Sequence, residues 1–372
     1  MHILVIPSWY HSSFNPQKGT FFMDQAECLS RHVDKVSVVA PVLISIKEIT
    51  INNIFKFGKK YLKRNNFHEY IYPVLAIPFC NKINTLIQFY CGKIILKKYV
   101  KDHGVPDILH LQSSLSGKLA LWFKKKYGVS FIVTEHWSGF INNKASKAQK
   151  LLSKEVFLES KKNIAVSNYF SSLLKRQFNC KFNVVPNVVD INFFKPSKNK
   201  FKTFTFLQVA SLNDNKNQEM LIAAFCIFVK KYKSKLIIIG QGKKLNMLNR
   251  LIKQFKLENS VKLLGQKNRD VVKDYMQKSH ALLITSYIET FGVVAIEAMA
   301  CGIPVISTKC GGPEEIINKH NGVLCEVSKD SIYESMVKCY DSKWDSIKIR
   351  SKVESNYSTN AISSKILKLI NL

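Results

Sequence analysis

The stretch Ser286-Tyr-Ile-Glu-Thr-Phe-Gly-Val-Val-Ala-Ile-Glu-Ala-Met-Ala-Cys-Gly-Ile-Pro304 decides how the rest of this chain is read. It follows the short apolar run Ala281–Thr285, which reads as a buried strand. Glu289 falls in the loop after that strand, and a helix is expected from about Gly292 to Cys301. Gly302 suits a left-handed C-terminal cap, and Pro304 stops further helix. The amides of Gly292, Val293 and Val294 would open that helix without intrahelical acceptors, at the positive end of its dipole. Such an end is a ready anion site. Glu297 lies a turn or so further along, and a glutamate can accept two hydroxyl hydrogen bonds from a sugar ring. The segment thus offers an anion cradle with hydroxyl acceptors, Glu289 and Glu297, on either side. Two glutamates eight residues apart carry no meaning alone; the F-G-x-x-x-x-E-A-M-A-C-G-x-P frame around them does.

Outward from this segment, short β-branched runs alternate with helix-length amphipathic segments, the pattern of an α/β protein with parallel sheets. A first set of runs comprises His2–Pro7, Lys35–Ala40, Tyr72–Ile77, Asp107–Leu111, Phe131–Glu135, Asn163–Ser167 and Asn183–Pro186. The clearest helix between them is Ile83–Val100, where Ile83, Leu86, Ile87, Tyr90, Ile94 and Ile95 make one stripe. A second set follows the Pro186–Asn187 turn: Thr203–Val209, Lys235–Ile239, Val261–Leu264, Ala281–Thr285, Pro304–Ser307 and Val323–Cys325. The expectation is two Rossmann-like parallel-sheet domains facing across a cleft. Their bounds are 1–187 and 188–357, with a helix over 358–372 packing back on the first. Ligands of open parallel sheets sit beyond the carboxyl ends of the strands, so chemistry is sought there.

Composition narrows the class. The 372 residues are 46% hydrophobic, enough for real cores. Nine cysteines with no C-x-x-C pair argue for reduced thiols in a cytoplasm rather than disulfides or a zinc ribbon. No secretory signal is visible, and the longest apolar stretch, His280–Ile306, is interrupted by Glu289, Glu297, Gly302 and Pro304, so no membrane span is expected. Net charge is +30 and is spread over both halves. Such charge raises nucleic-acid binding as a reading. Yet zinc-finger spacing, RNP aromatics and a basic region leading into heptads are all missing. Compositional drift toward Lys, Asn and Ile is the bland alternative, and attraction to anionic lipid is a third. The segment that carries the lipid reading is Lys56, Lys59, Lys60, Lys63 and Arg64, interleaved with Ile54, Phe55, Phe57, Tyr61 and Leu62. It suits a headgroup layer or, equally, a solvated loop.

The Glu289–Pro304 segment resembles the E-x7-E signature of retaining nucleotide-sugar glycosyltransferases of family four, which have the double-Rossmann GT-B fold. Other segments agree in order. Pro7-Ser-Trp-Tyr, Asn15-Pro and Gly19-Thr-Phe-Phe resemble the family's opening loop, and Thr134-Glu-His136-Trp its strand-end histidine. Val185-Pro-Asn-Val-Val-Asp190 with Phe194 resembles its interdomain turn. Gly240-Gln-Gly242, Val261–Gly265 and Gly311-Gly-Pro-Glu-Glu315 resemble parts of its second domain. Two departures stand out. Val209-Ala-Ser211-Leu carries Ser211 where many members have Arg, and Asn187-Val188 replaces the common Asn-Gly.

The resemblance implies a transferase that binds a nucleotide-diphosphate sugar donor in the second domain and a glycan acceptor in the first. It assigns Glu297 to the ribose hydroxyls, Glu289 and His136 to the donor sugar at the anomeric centre, and Gly265 to Asn268 to the neighbourhood of the base. Lys216, after a strand, is the leading phosphate cation. Gly19 permits close approach of backbone to phosphate, and the amides at Gly292 and Val293 complete the cradle. His110 is a weaker candidate, and Glu314 and Glu315 are expected to cap a helix. No Asp-x-Asp occurs in the first domain, so the sequence requires neither metal nor cofactor. With a hexose or aminohexose as cargo, the expected role is synthesis of a bacterial surface polysaccharide on a possibly lipid-linked acceptor at the inner face of the plasma membrane, without nucleic acid. Nucleotide-sugar epimerases and phosphorylases share the architecture, and a basic nucleic-acid-binding protein is the remoter alternative.

Overall fold

The computed structural model describes residues 1–49, 55, 57, 60–63 and 67–371. It divides into two compact units, Met1–Val188 with Ile362–Leu372, and Val189–Ala361. The boundaries expected from sequence fall one and four residues earlier.

The first unit runs β1 (His2–Pro7), α1 (Thr20–Ser30), β2 (Lys35–Ile44), β3 (Lys60–Lys63), β4 (Phe67–Leu75), α2 (Asn81–His103), β5 (Ile108–Gln112), α3 (Gly117–Tyr127), β6 (Phe131–Glu135), α4 (Lys147–Glu159), β7 (Lys162–Ala165), α5 (Asn168–Phe178) and β8 (Asn183–Val184). Its sheet has the order β3-β4-β2-β1-β5-β6-β7-β8, parallel except for β3, which pairs antiparallel to β4. The central strands β5 and β6 are buried at every position, as expected where helices cover both faces of a parallel sheet; their carboxyl ends nevertheless carry buried polar side chains, among them His110, Gln112, Thr134 and Glu135. Two sequence expectations change here. The run expected at Tyr72–Ile77 starts earlier, at Phe67, because the strand buries Glu69, whose carboxylate accepts from the Tyr10 hydroxyl at 2.6 Å. Lys60–Lys63, expected as loop or headgroup-seeking segment, forms the edge strand β3; Ile54, Lys56, Lys59 and Arg64 of that segment lie outside the described residues.

The second unit runs β9 (Phe204–Val209), α6 (Gln218–Phe228), β10 (Ser234–Ile239), α7 (Leu245–Gln254), β11 (Val261–Leu263), α8 (Arg269–Lys278), β12 (Ala281–Ile284), α9 (Val293–Ala300), β13 (Val305–Thr308), α10 (Gly312–Ile316), β14 (Gly322–Cys325), α11 (Lys329–Asp341) and α12 (Ser346–Tyr357). Its six strands are all parallel, in the order β11-β10-β9-β12-β13-β14. The order reverses between β9 and β12, so the loops that leave these two neighbours diverge and open a crevice. The last helix, α13 (Thr359–Asn371), contributes Ile362, Ile366 and Ile370 to the core of the first unit. No helix of the described residues is long and apolar enough to cross a membrane.

Candidate active site

In the second unit the chemistry gathers at the carboxyl ends of β9 and β12. Beyond β9 the chain makes a 3-10 turn, Asp214–Lys216, capped by the Asn213 side chain, which accepts from the Lys216 amide at 3.3 Å. Beyond β12 it forms the loop that carries Glu289. Three hydrogen bonds stitch the two loops together. The Thr285 hydroxyl donates to the Lys216 carbonyl at 2.9 Å, the Asn215 amide side chain to the Ile288 carbonyl at 2.9 Å, and the Tyr287 amide to the Asn215 carbonyl at 2.8 Å. The consequence is a pairing across 73 residues: the Lys216 ammonium donates to the Glu289 carboxylate. The same Glu289 Oε1 accepts from the Ser286 hydroxyl at 2.6 Å. Both charged side chains keep some exposure, 24% for Lys216 and 16% for Glu289, so the pair remains reachable from solvent.

The Glu289 backbone is fixed as well. Its amide donates to the Cys310 carbonyl at 2.7 Å, and its carbonyl accepts from the Gly312 amide at 3.0 Å. Three residues on, α9 starts, with Gly292 as its N-cap at φ 95°. That left-handed conformation is one a side chain would resist, and a Cβ there would also sit 3.0 Å from Pro313 Cγ. The amides of Gly292, Val293 and Val294 precede the first full helical repeat, so the helix supplies them no acceptor. All three residues, and Glu297 one turn further, are partly accessible. At the other end Cys301 and Gly302 close α9, with Gly302 at φ 73°. Arg350 of α12 secures that end, donating to the Ala300 carbonyl at 2.7 Å and to those of Phe194 and Ile191 at 3.0 Å.

Gly265 and its neighbours form a second group. The Gly240 amide donates to the Gly265 carbonyl at 3.0 Å, and Gly265 adopts φ 69°. Asn268 caps α8 through its side chain, which accepts from the Val271 amide at 2.9 Å. Glu314 caps α10, accepting from the Gly311 amide at 2.8 Å. Ser211, where the family often has Arg, offers its carbonyl to the Gln218 side chain at 3.1 Å.

In the first unit, His136 follows β6 and is 7% exposed. Its Nε2 lies 2.8 Å from the Gln112 carboxamide oxygen, which fixes that nitrogen as the donor, and Nδ1 has no hydrogen-bond partner among the described residues. Burial, reinforced by neighbouring His110, pushes the His136 pKa down to about 3. It is therefore a neutral imidazole, not suited to carrying a proton, and its free lone pair is on the buried Nδ1. His110, a weaker candidate, is also driven to about 3 by burial and pairs with the Thr134 hydroxyl at 2.8 Å. Gly19, the N-cap of α1 at φ 71°, is brought near His136 through Phe21 and Phe22, whose rings lie 5.1 and 5.0 Å from the imidazole.

Sequence reasoning missed the parts that position these groups. The buried Glu135 carboxylate accepts from the Ser113 hydroxyl at 2.8 Å and from the Ser114, His136 and Trp137 amides at 2.9 Å each, shaping the turn that presents His136. Gln112, Ser286, Thr285 and Arg350 also escape a reading from sequence. The local signals are Ser286, three residues before Glu289, and Glu135, next to His136; Gln112, Thr285 and Arg350 act through long-range pairings. Among the described residues no group of three or more His, Cys, Asp and Glu could hold a metal ion.

Two family models match, together covering most of the chain: Glycosyltransferase Family 4 over residues 19–193 and Glycosyl transferases group 1 over residues 190–357. A component of the human phosphatidylinositol N-acetylglucosaminyltransferase is 30% identical over 252 residues, 65% of this chain and 52% of the relative. The matched part is thus about half the length of that protein. Among solved structures, sucrose-phosphate synthase from Thermosynechococcus elongatus superposes with a TM-score of 0.82 at 19% identity, covering 100% of this chain and 98% of that one. Anabaena HepE in complex with UDP and glucose gives 0.74 at 18% identity, covering 100% and 99%. At these identities the structures speak to fold. With two sheets that are parallel but for the edge strand β3 and both models matched in order, the chain is a GT-B protein and belongs to the family-four glycosyltransferases.

Proposed function

We propose that this protein transfers a hexose or aminohexose, with retention of configuration and without a metal ion, from a nucleoside-diphosphate sugar to a hydroxyl of a growing glycan. The observation that carries the reading is the Lys216–Glu289 pair held beside the amide end of α9. Breaking the anomeric C–O bond leaves negative charge on a diphosphate and positive character on the sugar ring. An amide end and a lysine answer the first, and a carboxylate answers the second. On arrival of the donor, Lys216 exchanges the Glu289 carboxylate for phosphate oxygens. Glu289, still held by the Ser286 hydroxyl, then accepts from hydroxyls of the sugar. Glu297 takes the ribose hydroxyls, Gly265 passes near the base, and the neutral His136 stands at the sugar. Gly19, at the start of α1, lets backbone approach the phosphates.

The acceptor hydroxyl adds to the anomeric carbon on the face the diphosphate leaves, and its proton goes to a diphosphate oxygen. The first unit holds the acceptor and the second the donor. The acceptor is a lipid-carried glycan of a bacterial surface polysaccharide, met at the cytoplasmic side of an anionic membrane. An aminohexose is favoured by the N-acetylglucosaminyl activity in the name of the human relative.

Incubation with radiolabelled nucleotide sugars and a membrane lipid extract tests the reading. Labelled lipid is expected from one donor, and Glu289→Gln should lower turnover by about 10²–10³, the scale of losing one charge-stabilising group. Intact nucleotide binding with no transfer from any donor, or full turnover in Glu289→Gln, would count against it.

A further inference from the structure

We propose that the outer face of α2 is a docking surface for an anionic lipid bilayer. The stripe expected from sequence, Ile83, Leu86, Ile87, Tyr90, Ile94 and Ile95, is split by the structure: Ile95 is buried and Ile87 partly so, whereas Ile83, Leu86, Tyr90 and Ile94 face outward. Tyr90 is 58% exposed and Ile94 69%, while Ile95, Leu96 and Tyr99 are buried on the opposite side and Gly92 abuts Leu119 of α3. Phe79, just ahead of the helix, is fully exposed. An apolar stripe of this length on one helix is more than scattered surface residues, and it marks a surface that meets something.

Charge identifies the occupant. Helix α2 carries five Lys against one acid, Asp102, and the one acid of the neighbouring strand β4, Glu69, is fully buried. Lys82, Lys97 and Lys101 flank the stripe on α2 and are exposed. Lys98 is occupied by Asp102 at 2.8 Å, and Lys93 lies over the Phe89, Tyr90 and Trp122 rings. An apolar stripe rimmed by exposed lysines, with aromatic side chains among the apolar ones, matches a surface that is anionic outside and hydrocarbon beneath. A second copy of this chain presents the same positive rim and is repelled. Beside the stripe, an apolar groove of about 260 Å³ between α2 and β4, lined by Tyr72, Val74, Cys91 and Ile95, offers room for a segment of acyl chain. The proposal rests on the lipid-carried acceptor for its purpose and on α2 for its geometry.

Flotation of the full chain with vesicles decides it. Binding is expected to phosphatidylcholine vesicles containing about one third phosphatidylglycerol and not to pure phosphatidylcholine. Lys82→Ala/Lys97→Ala/Lys101→Ala should weaken it by about fivefold per lysine, and Leu86→Ser/Tyr90→Ser/Ile94→Ser should abolish it. Because these positions are exposed, both variants should keep the wild-type melting temperature and nucleotide affinity. Equal binding to both vesicles, or binding untouched by the substitutions, overturns the proposal. So does a stripe variant that instead loses self-association in sedimentation or an RNA gel shift. Nucleotide binding is read in the same samples. A chain that binds nucleotide sugar and ignores vesicles sinks only the docking surface, whereas one that binds vesicles and no nucleotide sinks the functional reading and leaves the surface standing.

Discussion

Lys216 and Glu289 neutralise each other while no donor is bound, which keeps a lysine and a carboxylate at the end of a buried sheet without an unpaired charge. On the proposed function the same arrangement would supply the means of recognising the donor, because a diphosphate offers Lys216 more negative charge than one carboxylate does. His136 and His110 show a different economy of charge. Both are buried and held neutral, with pKa values pushed from 6.5 to about 3. Between those values the unfolded chain binds protons that the folded chain refuses. Stability is therefore complete above about pH 6.5 and falls as the pH drops toward 3, by up to about 1.4 kcal/mol per pH unit for each histidine. Denaturant unfolding at about pH 7 and about pH 5 should show this loss. In His110→Gln it should shrink by about 2 kcal/mol, and an unchanged loss would mean that His110 titrates normally in the folded protein.

At the scale of elements, the placement of α9 depends on glycines where two backbones nearly touch. A Cβ on Gly312 would lie 2.6 Å from the Phe291 amide nitrogen and from the Thr290 carbonyl oxygen, neither of which can swing aside. Gly312→Ala should therefore push Thr290 and Phe291 off position just ahead of the α9 amide end. The expected cost is roughly 2–3 kcal/mol of stability and at least tenfold weaker nucleotide binding by calorimetry. Gly128→Ala, at φ 72° with open space around it, carries only the backbone strain, about 1–2 kcal/mol, and should bind nucleotide normally. Equal nucleotide affinity in both variants would show that the loop does not position the site. The strand–helix alternation around these elements was legible because each central strand is a short run dominated by apolar and β-branched residues, with its polar members confined to a minority of positions. β3 was not, since Lys60–Lys63 buries no face. The start of β4 was hidden by His68 and Glu69, a polar pair that reads as loop until Tyr10 and His11 are seen to satisfy the glutamate. For α2 the sequence shows a stripe but cannot tell which side of the helix meets the sheet.

Across the whole molecule, the fold and the family follow from local sequence, whereas the working arrangement of the site does not. The Glu289–Pro304 frame makes α9 legible because strand end, N-cap glycine and C-cap glycine are all contiguous. The Lys216–Glu289 pair and the Gln112–His136 contact bring together residues 73 and 24 positions apart, and no periodicity encodes such pairs. The central claim, that the amide end of α9 receives the donor diphosphate, is tested most directly by a crystal structure with a nucleoside-diphosphate sugar soaked in. The predicted result has phosphate oxygens within hydrogen-bond distance of the Gly292–Val294 amides, with the Lys216 ammonium moved from Glu289 onto the diphosphate. Density for the nucleotide anywhere else, with Lys216 still paired to Glu289, would contradict it.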